Sequence, residues 1–161
     1  MRLIRRICTL LTIAALMAIN SGCENKWPKN GDLDGMWQLM SKEENGTVTQ
    51  LKDTKHYWSI RANLVQYTST NMDYKRYSHF ERQDAKLILT DFCNESRNAD
   101  ESDNDEWITF DDRTCLNEWG IYPDTDTNHP ERLTQTFNIE HLDSDCLILS
   151  AGTYKLQFRK F

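Results

Sequence analysis

The chain has 161 residues, 27% of them charged, and a formal charge of −6 with its histidines neutral. Phosphate binding needs a basic face, so this acid-rich balance argues against a nucleic-acid partner. The length suits one domain, because a chain of this size buries roughly two-thirds of its unfolded surface around a single core.

Arg2, Arg5 and Arg6 precede the apolar run Ile7 to Ile19, and the small residues Ser21-Gly22 lead into Cys23. A membrane-spanning helix needs roughly 20 apolar residues, whereas this run holds 13. Basic start, short apolar centre and small-residue end read together as a signal peptide over residues 1–22. Arg5-Arg6 alone is too little to mark a twin-arginine signal. Ser21-Gly22-Cys23 resembles the lipobox of bacterial lipoproteins, in which the cysteine thiol takes a diacylglycerol before a dedicated peptidase cuts on its N-terminal side. Asn20 stands where that pattern usually has Leu, so the alternative is an ordinary signal peptidase cutting nearby. The resemblance implies a lipidated Cys23 bearing acyl groups such as palmitate. It also implies a cell-envelope location, the outer membrane ahead of the inner, with the domain outside the cytoplasm. The leader takes three arginines and no acid with it, which moves the formal charge to −9.

Residues 23–32 read as the acylated cysteine and a tether, since Glu24 to Asp32 holds Pro28 and Gly31 and no periodic apolar pattern. From residue 33 to 161 the hydropathy alternates with period two. Trp37 and Leu39 alternate with Met36, Gln38 and Met40; Trp58 and Ile60 with Tyr57, Ser59 and Arg61; Val65, Tyr67 and Ser69 with Leu64, Gln66 and Thr68. This is strand patterning. Further short strands are expected at Arg76–Arg82, Lys86–Phe92, Glu106–Phe110, Leu133–Glu140, Cys146–Ser150 and Thr153–Lys160, with a helical stripe only at Asp112–Trp119. The fold class is therefore all-β and antiparallel, about eight to ten short strands. An up-and-down barrel or a sandwich is favoured over an open sheet because closure removes exposed edges.

Three cysteines remain in the body of the chain: Cys93, Cys115 and Cys146. Outside the cytoplasm one pair can oxidise, with Cys93 and Cys115 preferred across the polar loop from Asn94 to Glu106; the alternative makes all three small apolar fillers. Asp100 to Glu106 has the oxygen density of a calcium loop but lacks the turn glycine and the closing glutamate, and reads as a solvated loop. His56, His79, His129 and His141 are scattered singly, and neither CxxC nor HxH occurs. With no nucleophile elbow and no phosphate-cradling glycine loop, the chain is read as a non-enzyme without metal or cofactor.

The first strand, Asp34-Gly35-Met36-Trp37-Gln38-Leu39, resembles the G-x-W opening of lipocalins, and Tyr154-Lys155-Leu156-Gln157-Phe158-Arg159 resembles their closing strand. Thr90-Asp91-Phe92 matches an inner lipocalin motif only in part. With the lipoprotein leader, the whole is similar to small lipocalin-like lipoproteins of Gram-negative bacteria. That implies an eight-stranded barrel whose closed floor is plugged by Trp37, with a guanidinium such as Arg159 stacked across the indole. It also implies a small hydrophobic or amphipathic ligand in the open end. Trp58, Tyr67, Phe137 and Phe158 fall on the inward faces, and Trp58 and Tyr67, on neighbouring strands joined at Arg61-Ala62-Asn63, are the candidate ligand-binding pair. The alternative is a barrel filled by side chains, an interaction or structural lipoprotein whose loops, Asn94–Asp105 and Tyr122–Glu131, contact an envelope protein or glycan.

Overall fold

The computed structural model describes residues 30–70, 75–95 and 106–161. The expected leader, the acylated Cys23, the tether as far as Lys29 and the acidic stretch Asp100 to Asp105 lie outside the described residues.

Among the described residues eleven strands run in chain order: β1 Gly35–Glu44, β2 Thr47–Gln50, β3 His56–Arg61, β4 Leu64–Ser69, β5 Arg76–Gln83, β6 Lys86–Asn94, β7 Glu106–Trp107, β8 Asp124–Thr125, β9 Leu133–Leu142, β10 Cys146–Ala151 and β11 Tyr154–Lys160. Eight of them close a ring, β1-β3-β4-β5-β6-β9-β10-β11 and back to β1, while β2, β7 and β8 ride on β1, β6 and β9. Every pairing that closes the ring is antiparallel. This is the up-and-down barrel that the period-two pattern and the lipocalin resemblance predict, with no free edge in the ring.

Alternation places the expected faces inside. Trp37, Trp58, Tyr67, Phe137 and Phe158 are buried, as are Leu39, Leu87, Leu89, Leu149 and Leu156. Trp58 lies at the centre, its ring centroid 5.3 Å from Tyr67, 5.9 Å from Phe137 and 4.9 Å from Phe158. Edge-to-face and tilted contacts at these distances are the favoured aromatic geometries. A bulge between Leu39 and Ser41 shifts the phase of β1, so that Lys42 pairs with Leu156 and Glu44 with Tyr154 at the far end of the ring.

The floor is the end where β3–β4, β5–β6 and β9–β10 turn, beside Gly35 and Lys160. Gly31–Leu33 form a single 3₁₀ turn that brings the buried Leu33 under the barrel. The Trp37 indole N–H donates to the Leu33 carbonyl at 2.8 Å. Its ring carries a cation, but the cation is Lys160, whose Nζ lies 4.8 Å from the ring centroid and donates to the Asp32 carbonyl at 2.7 Å. The expected Arg159 pairs with Gln38 on the outer face and donates to its Oε1 at 3.2 Å. Period two decides this: with Phe158 inward, residue 160 shares its face and residue 159 cannot. The same crossing explains the glycine of G-x-W. A Cβ on Gly35, at φ +138, would stand 2.6 Å from Lys160 Cε.

Two further expectations change. The strand expected over Glu106–Phe110 ends at Trp107, because Ile108 turns into the core and its N–H donates to the Phe92 carbonyl at 2.8 Å. The preferred Cys93–Cys115 disulfide is not formed: among the described residues no bridge joins Cys93, Cys115 or Cys146, and Cys93 is buried. The chain does return to β6, where Trp107 pairs with Cys93, but it runs on through residues 108–112 into the 3₁₀ segment that carries Cys115.

Candidate functional site

The mouth of the barrel, opposite the floor, is crossed by residues 108–123. Their centre is a 3₁₀ segment, Arg113–Trp119, on the stretch where the sequence shows its helical stripe. Gly120 ends it at φ +76, and a Cβ there would lie 2.6 Å from Leu156 Cδ2. Only a glycine lets the backbone descend this close to the β11 wall. Leu116, Trp119 and Ile121 are thereby buried in the top of the barrel.

Trp119 meets both residues of the candidate ligand pair. The Trp58 indole N–H donates to the Trp119 carbonyl at 3.2 Å, and the Tyr67 ring lies 6.2 Å from the Trp119 ring. Trp119 in turn donates its indole N–H to the Thr68 carbonyl at 3.1 Å. The sequence correctly pairs Trp58 with Tyr67, which are direct cross-strand partners. Both are fully buried, however, beneath an indole of their own chain. Tyr67 donates to or accepts from Ser78 Oγ at 2.6 Å, and burial pushes its phenol far above the ordinary tyrosine range, so it stays neutral.

Beside this plug, a cleft of about 310 Å³ opens between the β1 rim and the 3₁₀ segment. Lys42, Glu44, His56, Glu118 and Tyr122 line it. Lys42 Nζ is 2.7 Å from the Glu44 carboxylate and 2.6 Å from the Tyr122 hydroxyl, and it sits 4.4 Å from the Tyr122 ring centroid. Burial alone would lower the Lys42 pKa, but the hydrogen bonds to Glu44 and Tyr122 outweigh it and hold the ammonium above its usual range. Next to it Tyr154 packs edge-on against Tyr122 at 5.2 Å. Burial raises the Tyr154 phenol, and among the described residues its hydroxyl has no hydrogen-bond partner. His56 bridges the cleft and the plug: Nε2 is 3.3 Å from the Glu118 carboxylate, Nδ1 is 2.8 Å from Thr54 Oγ1, and the ring meets Trp119 edge-on at 5.5 Å. The cleft thus combines a held cation, two carboxylates and the Tyr122 ring, a lining suited to an amphipathic molecule.

Among the described residues, no three His, Cys, Asp or Glu side chains converge as metal ligands. The four histidines sit apart, each beside a single acidic residue: His56 with Glu118, His79 with Asp91, His129 with Glu131 and His141 with Asp143. The role of Trp119 is what sequence reasoning misses. Its one local signal is the aromatic-glycine pair Trp119-Gly120 at the end of the helical stripe.

A family model described as lipocalin-like domain matches residues 15–161. Among solved structures the chain is similar to a lipocalin-like protein from Bacteroides uniformis ATCC 8492, with a TM-score of 0.54 and 17% identity over 81% of this chain and 100% of that one. It is also similar to an uncharacterized protein from Bacteroides eggerthii DSM 20697, with a TM-score of 0.53 and 16% identity over 80% of this chain and 98% of that one. At such identities the likeness is one of fold. No curated protein matches the chain.

Proposed function

The chain belongs to the lipocalin-like domain family, and on that premise we propose that it is a non-enzymatic lipoprotein that binds a small hydrophobic or amphipathic ligand at the barrel mouth. Lipid on Cys23 holds it to an envelope membrane, foremost the outer membrane, with the barrel outside the cytoplasm. The observation that carries the ligand reading is the amphipathic cleft of about 310 Å³ beside Trp119. Trp58 and Tyr67 are the wall beneath that indole, reached when a ligand takes the place of Trp119. The Tyr122 ring and the Lys42 ammonium offer the ligand an apolar body contact and a polar handle.

A second reading draws on the packing below the mouth. Ring centroids 4.9–6.2 Å apart fill the axis from Phe158 through Trp58 and Tyr67 to Trp119, as befits a barrel that contacts an envelope protein or glycan from outside. An environment-sensitive apolar dye separates the two. The deacylated protein is expected to bind it with a dissociation constant of about 1 μM, equivalent to about −8 kcal/mol. A folded domain that binds no apolar probe sinks the ligand reading and leaves the filled-barrel interaction protein. Lipidation has its own test, the intact mass of wild type against Cys23→Ser: serine has no thiol to form the thioether, so the variant is expected to lack the acyl mass and leave the membrane fraction.

A further inference from the structure

β6 and β9 are hydrogen-bonded from Lys86↔Asn138 to Thr90↔Thr134, and then they part. The parting coincides with a bulge, where the register of β6 against β5 shifts between Tyr77 and His79 and Asp91 stands in the left-handed region at φ +54. The extra residue puts Thr90 and Asp91 in succession on the outer side and returns Phe92 to the core. β7 and β8 pair alongside the separated strands without closing the gap between them. What remains is a cleft of about 300 Å³ in the barrel wall, away from the mouth cleft and sharing no residue with it.

The bottom of this cleft is apolar, made by Phe92, Ile108 and Leu133, all buried. Trp107 lines it with 59% of its surface exposed, an indole left open to water beside a ready concavity. Asp91, Glu131 and Arg132 form the polar rim. Their mutual contacts are loose: Arg132 stands 3.9 Å from the Asp91 carboxylate and 4.0 Å from that of Glu131, and His79 stands 3.4 Å from Asp91. At those distances the carboxylate lone pairs and guanidinium protons are not used up on one another.

We propose that this seam is a carbohydrate-binding cleft, with the Trp107 indole stacking on the C–H face of a pyranose ring while Asp91, Glu131 and Arg132 hydrogen-bond its hydroxyls. The rim carries both signs of charge, which disfavours a strongly anionic or cationic ligand and suits a neutral polyol. Carboxylate and guanidinium groups are planar and bidentate, so each spans two adjacent hydroxyls. A broad exposed indole offers the ring face what a hydroxyl-rich molecule otherwise lacks, an apolar platform.

Affinity electrophoresis tests it, using the folded full chain without its acyl group in native gels that contain laminarin, mannan, xylan, arabinogalactan or dextran. Wild type is expected to be retarded by at least one of these polymers. Trp107→Ala removes an exposed ring and is expected to lose the retardation at an unchanged melting temperature. Asp91→Asn keeps a residue that tolerates positive φ and removes the charge, and its retardation is expected to weaken. A wild-type band that runs unretarded in every gel, or a Trp107→Ala band retarded as strongly as wild type, overturns the proposal.

Discussion

Trp37 gives its indole N–H to Leu33, its face to Lys160 and all of its surface to the interior. Trp37→Ala is therefore expected to lower stability by roughly 3–5 kcal/mol, the range for a buried tryptophan cut to alanine, read as a lower melting temperature. A different residue-scale effect is expected in the β9–β10 turn. There the backbone N–H of Asp145, then the His141 ring, then the N–H of Cys146 hold the Asp143 carboxyl down at about 2 from an ordinary 3.8. A group whose pKa is depressed by folding favours the folded state above its unfolded value and loses that contribution as pH falls through the folded one. The contribution of Asp143 to the turn is thus expected to be complete above about pH 4 and to be lost between about 4 and 2. In a carboxyl NMR titration, His141→Ala is expected to raise the Asp143 midpoint only part of the way, because the Asp145 N–H remains. The floor was legible residue by residue. Gly35 and Trp37 stand out in the sequence, and the choice of Lys160 over Arg159 follows from the inward phase of Phe158. The family resemblance implies a guanidinium at Arg159, whereas the alternation of the strand itself puts residue 159 outside and Lys160 against Trp37.

From Glu106 to Arg132 the chain carries two strands of two residues each, and its buried anchors, Leu116, Trp119 and Ile121, sit on a 3₁₀ segment and the turn after it. Strand positions elsewhere were readable because a period-two pattern declares both the element and its buried face. This segment has no such pattern, and its contacts are distant in sequence. Trp119 bonds to Thr68, 51 residues away, and Trp58 bonds to Trp119 across 61. Trp58 and Tyr67 could thus be placed on one patch of wall from sequence, whereas the indole covering them could not. Trp119→Ala is expected to destabilise the domain, again by roughly 3–5 kcal/mol, and also to increase apolar-dye uptake several-fold over the wild type. A variant that is destabilised yet takes up no more dye would make Trp119 plain core and remove it from the ligand path. Gly120→Ala adds a methyl against Leu156 at a positive φ. It is expected to lift the plug from the β11 wall, lowering the melting temperature while leaving the floor around Trp37 intact.

At the scale of the whole molecule, the two ends of the barrel differ in how they can face a membrane. Asn30 is fixed at the floor: its side-chain amide donates to the Ala62 carbonyl at 2.9 Å and to the Asp34 carboxylate at 2.6 Å. Cys23 precedes it by seven residues, and a fully extended stretch of that length spans at most about 25 Å. If Cys23 is lipidated as proposed, the floor would stay within that distance of the bilayer, and the mouth, on the opposite end, is expected to face away. Any ligand of the mouth cleft is then expected to arrive from the aqueous side and not to be drawn directly out of the anchoring leaflet. Lysine footprinting of acylated protein on phospholipid vesicles gives the test, because Lys86 lies at the floor turn between β5 and β6 whereas Lys55 and Lys75 border the mouth. Relative to the unanchored Cys23→Ser protein, Lys86 is expected to be labelled more slowly and Lys55 and Lys75 at the same rate. Slower labelling of Lys55 and Lys75 with Lys86 unchanged would put the mouth against the membrane and refute the orientation, while a wild type without acyl mass would refute the anchor itself.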